Sequence, residues 1–127
     1  MRRRSVSVVL LAALAGCATG GGGPRSLQSR NVITAAEVEA INVSTAYEAI
    51  QQLRPHFLQS RGQASIQDPT AGTPVVYVNG VRYGSPDALN GIRAMDVAEI
   101  RFLSASDATT RYGTGHVGGV IEVRTRG

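Results

Sequence analysis

The chain has 127 residues, 43% hydrophobic and 17% charged, with a formal charge of +4 and no lysine. A length of this order supports one small domain and leaves no room for a second unit with its own core. Its one cysteine excludes an intramolecular disulfide, and its two histidines, His56 and His116, have no second ligand at helix or loop spacing that would mark a metal site.

At the amino terminus Arg2, Arg3 and Arg4 precede an apolar run from Val6 to Ala15 that only Ser7 interrupts. A charged start, a short apolar stretch and small residues before a cut are the parts of a secretory signal. The run is about ten residues, roughly half of what crosses a hydrocarbon core as a helix. It ends in Leu14-Ala15-Gly16-Cys17, which resembles the lipobox of bacterial lipoproteins at all four positions. That resemblance implies a signal peptide over 1–16, a diacylglycerol on the Cys17 thiol and an acylated new amino terminus, with palmitate-type chains. Ala18 stands where aspartate would retain such a protein at the inner membrane, so the implied location is the outer membrane, on its periplasmic face. Loss of the three leading arginines leaves ten arginines against nine acids from Cys17 onward, about +1. A balance so near neutral gives no case for a nucleic-acid partner. Residues 17–30 include four consecutive glycines, Gly20 to Gly23, and read as a flexible tether, because glycine loses the most backbone entropy on ordering. Residues 31–127 form the domain.

Within the domain, Val32 and Ile33 predict a brief strand. Thr34-Ala35-Ala36-Glu37 has capping-box spacing, in which threonine accepts the third helical amide and glutamate reaches back. Val38 and Ile41 then share a face. Asn42 to Ser44 breaks the pattern, and Thr45-Ala46-Tyr47-Glu48 repeats the capping signal. Tyr47, Ile50 and Leu53, with Ala46 and Ala49, form a helical apolar stripe that stops before Pro55, whose ring disfavours helix in its predecessor. His56 to Leu58 predicts a packed turn, with Tyr47 and Phe57 in the core.

Gly62 to Pro74 is rich in breakers. Val75 to Val78 is β-prone, and Asn79-Gly80 is the dipeptide of a type I′ hairpin, which needs positive φ at both positions. Val81 to Tyr83 is the return strand. Ser85-Pro86-Asp87 predicts a short helix with serine as its cap, ending near Gly91. Asp96 is expected to cap a further turn before a strand at Glu99 to Leu103. Ser104 to Arg111 predicts one helical turn, and Val117 to Arg124 a final strand.

Several of these segments resemble the plug domain of TonB-dependent outer-membrane receptors. Val75 to Val81 is similar to the plug hairpin. Ile100-Arg101-Phe102-Leu103, with Ser104 to Gly113 after it, is similar to the plug strand, its small-residue segment and its tyrosine-glycine turn. Gly118-Gly119-Val120-Ile121-Glu122-Val123-Arg124-Thr125 is similar to the strand that closes the plug before the barrel. Val32 to Glu39 matches the opening strand and helix. The resemblance implies an α+β fold: a small plug-like domain with a short mixed β-sheet, a β-hairpin and two or three short helices. With the sequence ending at Gly127, it implies a plug that stands alone. Arg101 departs from the family, whose strand carries a glutamate there, and neither the arginine-glycine motif before the hairpin nor a TonB box is evident.

No catalytic pattern emerges. Gly113-Thr114-Gly115-His116-Val117-Gly118 fits G-x-G-x-x-G, but that fingerprint needs a strand before it and a helix after it. Here the chain leads into a strand. The expectation is a protein without catalytic residues, cofactor or metal. Arg82, Tyr83, Arg111, Tyr112 and His116 are the candidate partner-binding residues, since arginine and tyrosine concentrate binding energy at interfaces. Unpaired sheet edges add a route for strand pairing with a partner. The function that follows is a lipid-anchored envelope module binding a protein of a receptor or transport assembly. The alternative is a lipoprotein that captures a small nutrient or iron complex, with only two Phe and four Tyr to line a pocket.

Overall fold

The structure, a computed structural model, describes residues 30–61 and 66–127. The expected signal peptide over 1–16, Cys17 and the glycine run lie outside the described residues. The elements run β1 (Val32–Thr34), α1 (Ala35–Ile41), α2 (Ala46–Leu53), a 3₁₀ turn at Pro55–Phe57, β2 (Val75–Val78) and β3 (Val81–Gly84). They continue with 3₁₀ turns at Pro86–Gly91 and Ala94–Asp96, then β4 (Val97–Leu103), α3 (Ala105–Tyr112) and β5 (Val120–Thr125). The five strands form one sheet in the order β1-β4-β5-β2-β3. Neighbours are antiparallel except β2 and β5, which run parallel, so the sheet is mixed and the fold is the α+β plug-like arrangement expected.

Local chemistry accounts for most element boundaries. The Thr34 hydroxyl accepts the Glu37 amide while the Glu37 carboxylate accepts the Thr34 amide at 2.8 Å, a complete capping box. The Thr34 amide, more than the nearby Arg54 guanidinium, holds the Glu37 carboxyl below the ordinary carboxylate range. Thr45 caps α2 in the same way, but the Glu48 carboxylate reaches one residue further out, to the Ser44 amide at 2.9 Å. Asn79 and Gly80 both take positive φ, at 50° and 83°, and bring Val78 opposite Val81.

Several boundaries differ from expectation. β4 begins at Val97 rather than Glu99, and β5 at Val120 rather than Val117, after the tight approach of Gly118 and Gly119. Ser85 makes no side-chain cap bond, and the segment after it winds as 3₁₀ rather than α-helix. Asp96 closes a 3₁₀ turn as its last residue instead of capping one, and its carboxylate pairs with Arg93 at 2.8 Å. α3 runs for eight residues, longer than one turn, because Ser104 caps it through the Asp107 amide at 3.2 Å and its far end is packed on the sheet. Sequence propensity undervalued this segment, since packing of a few small residues stabilises a helix that is marginal alone.

Strand alternation divides the sheet into two unlike faces. Ile33, Ile100, Phe102, Ile121, Val123 and Val76 point toward α1, α2 and the 3₁₀ turns, where Ile50, Phe57 and Leu89 complete the core. Phe57 stacks on Phe102 with centroids 5.3 Å apart, and the Arg61 guanidinium lies 4.1 Å from the Phe102 ring. The opposite face carries Glu99, Arg101, Leu103, Val120, Glu122 and Tyr77 by the observed register. α3 covers the Leu103 and Val120 end of that face through Ala108 and Tyr112.

The chain enters β5 through Gly118 and Gly119, and neither position has room for a side chain. A Cβ on Gly119 would lie 2.5 Å from the Leu103 carbonyl oxygen and 2.7 Å from Phe102, at a φ of +85°. One on Gly118 would lie 2.3 Å from the Gly72 oxygen. Gly119→Ala is therefore predicted to destabilise the fold by about 2 kcal/mol or more, from left-handed strain plus forced backbone movement. Denaturant unfolding checks this; a Gly119→Ala midpoint equal to that of the parent chain contradicts it.

Candidate functional site

The polar face of the sheet holds a concentration of charged and aromatic groups that the fold assembles from distant segments. Glu122 sits on β5, with Tyr77 of β2 on one side and Arg101 of β4 on the other. Only 5% of Glu122 is exposed, and a carboxylate taken out of water needs partners that donate to it. α3 supplies them. Its last turn lays the Tyr112 hydroxyl and the Arg111 guanidinium on the same carboxylate oxygen, each at 2.9 Å.

The Tyr112 ring stacks on Tyr77, with centroids 3.9 Å apart and planes inclined by 24°. The Tyr77 hydroxyl meets His116 Nε2 at 3.0 Å, while His116 Nδ1 lies 2.9 Å from the Gly113 carbonyl oxygen. A carbonyl only accepts, so the neutral imidazole carries its proton on Nδ1 and Nε2 accepts from the phenol. His116 is thereby buried in the turn that returns the chain to the sheet. The glycine sequence around it follows a helix and feeds a strand, the reverse of a dinucleotide-binding turn.

Three of the five candidate residues, Arg111, Tyr112 and His116, thus belong to one network. Arg82 and Tyr83 lie apart from them on β3, at the sheet edge, where Tyr83 is about half exposed. Tyr77 and Glu122 complete the network and were not singled out from sequence. A lone acid inside Val-Ile-Glu-Val was the available signal for Glu122, because an unpaired charge has no place in a buried strand. Nothing in Val-Val-Tyr-Val distinguishes Tyr77 from an ordinary strand aromatic.

Beyond the network the described residues leave the face open. A cleft of about 330 Å³ is lined by Arg111, Glu122 and Arg124 with Asn79, Gly80 and Thr125. Its wall is fixed by a reciprocal pair: Asn79 Nδ2 donates to the Thr125 hydroxyl at 2.8 Å and Asn79 Oδ1 accepts the Thr125 amide at 3.0 Å. A second open cleft, about 520 Å³, runs beside β3 with Asp68, Arg82 and Asp87 on its lining. Among the described residues no three His, Cys, Asp or Glu side chains gather where they could hold a metal ion. No helix of the described residues is long and apolar enough to cross a membrane.

Comparison with known families matches residues 24–120 to the TonB-dependent receptor plug domain. That span takes in β1 through the first residue of β5, and with it Tyr77, Arg111, Tyr112 and His116 of the polar network, while Glu122 lies two residues beyond it. No curated protein and no solved structure matches the chain.

The network has a titration signature. Burial first, and then the Glu122 carboxylate it donates to, push the Tyr112 phenol above its ordinary value of 10. The folded chain therefore keeps this proton where the unfolded chain releases it. The stability it contributes is whole below about pH 10 and falls as pH rises through the folded value. NMR titration of the Tyr112 ring is expected to show the raised value, lowered toward the ordinary one in Glu122→Gln; a value indifferent to that substitution would show that the contact does not exist in solution.

Proposed function

Since the chain belongs to the TonB-dependent receptor plug family, we propose that it is a non-enzymatic, lipid-anchored envelope module that binds another protein of an outer-membrane receptor or transport assembly. The plug-domain match over residues 24–120 carries this reading, because the family is that of outer-membrane receptors. In this reading residues 1–16 direct export, Cys17 receives the lipid, residues 17–30 tether it, and the domain from 31 onward works at the periplasmic face of the outer membrane. Each buried acyl methylene contributes about 0.8 kcal/mol, so two or more chains together hold where one is marginal.

Two features support binding to a protein. Arginine and tyrosine side chains stand at the edge hairpin, at Arg82 and Tyr83, and a third candidate, Arg111, faces an open cleft. β3 is also an edge strand, with Val81 and Tyr83 both largely exposed, and such an edge can accept a further strand.

Anchoring and binding are tested separately. Cys17→Ser is predicted to shift the protein from the membrane pellet to the soluble fraction of lysed cells, and persistence in the pellet after a high-salt wash rules out the lipid anchor. Crosslinking in intact cells, followed by mass spectrometry, is expected to recover a receptor or transport component. Recovery of the uncrosslinked chain alone, at native abundance, contradicts the protein-binding role.

A further inference from the structure

The open half of the polar face carries more positive charge than it can neutralise. Arg124 follows Glu122 by two residues on β5 and so points to the same side of the sheet, with Glu99 as its cross-strand neighbour on β4. Both carboxylates beside it are already committed. Glu99 accepts from Arg101 at 3.0 Å, and Glu122 is paired with Arg111 at 2.9 Å. Arg124 is exposed and forms no ion pair among the described residues.

Arg101 lies on the same face, its side chain about one-third exposed. Its Nε is buried and has no hydrogen-bond partner among the described residues, while Nη2 is held by Glu99. Three arginines and two glutamates therefore share this patch, although the described residues as a whole balance at nine arginines and nine acids. The excess is local.

We infer that this half-face, bounded by Arg101, Arg111 and Arg124, is a docking surface for an acidic segment of a partner protein. The inference rests on the protein-binding role proposed above and supplies its surface and chemistry. A carboxylate seated over Arg124 would find free guanidinium donors there and on Arg111, whose other side Glu122 holds in place. The cleft wall of Asn79 and Thr125 is already satisfied and stays rigid as the segment enters. One excess charge set between two built ion pairs suits single carboxylate side chains. An anionic bilayer is recognised differently, by a broad cluster of basic residues.

The test uses the full chain, labelled for NMR, with a synthetic peptide of alternating glutamate and threonine as probe. Saturable shifts of the Arg101, Arg111 and Arg124 side-chain N–H resonances are expected, absent with the glutamine counterpart of the peptide. Arg124→Glu is expected to weaken the interaction by at least about fivefold, and Arg124→Gln by less, as exposed charge pairs allow. Equal shifts from the glutamine peptide overturn the inference. So does a response to phosphatidylglycerol vesicles without one to the acidic peptide. In cells, a photo-crosslinker at position 124 should capture the partner more than one at exposed Met95, which lies on the helix-covered side. Adducts from position 95 alone overturn this surface and leave the protein-binding role standing, whereas no adducts from any exposed position overturn that role itself.

Discussion

The last strand of the chain is the middle strand of the sheet. β5 is hydrogen-bonded to β4 on one side and to β2 on the other, and its residues Val120 to Val123 are buried on both faces. Without it, the β1/β4 pair and the β2/β3 hairpin would be two separate ribbons, and two-stranded ribbons are marginal in water. Every long-range pairing that unites the domain therefore waits for the carboxyl-terminal residues. The cost of closing those loops is met only when β5 inserts, which favours slow, cooperative folding over stepwise assembly.

That insertion explains two local features that look unrelated. Gly118 and Gly119 admit the strand between Gly72 on one side and Leu103 with Phe102 on the other, at distances that no Cβ could occupy. Glu122, carried into the centre of the sheet by the same strand, must then be neutralised by groups from elsewhere. α3 and the following turn do this with Arg111 and Tyr112, and the Tyr77 and His116 contacts fix the ring that donates. A buried carboxylate of this kind is weak evidence for added stability, since desolvation opposes the gain from pairing. Its consequence is geometric: it ties the last turn of α3 to the centre of the sheet through Arg111 and Tyr112.

The uncovered half links fold to role. The sheet has an apolar face committed to its own core and a charged face that the described residues cover only in part. On the charged side one ion pair lies within β4 and another joins β5 to α3, and Arg124 falls where both neighbouring acids are taken. The edge hairpin offers a different chemistry, backbone groups flanked by Val81 and Tyr83. The proposed electrostatic selection at the first and the proposed strand pairing at the second would be compatible, because they involve separate parts of the sheet.

Periodicity and cap chemistry, acting over three or four residues, determined the helices at Ala35 and Ala46, the Asn79-Gly80 hairpin and the strands around it. These are local interactions, and the residues that make them are adjacent in sequence. The likeness to receptor plugs was legible in the same way, from motifs that each occupy one segment. The order of the strands, the parallel pairing of β2 with β5 and the meeting of Tyr77, Tyr112, His116 and Glu122 were decided only by tertiary structure. Tyr77 and His116 are 39 residues apart, and no local pattern can encode which distant side chain a buried group will meet. The split of the five candidate residues between a network and an edge has the same origin: spacing assigns residues to a face, but the crossing of α3 over the sheet decides which of them that face conceals.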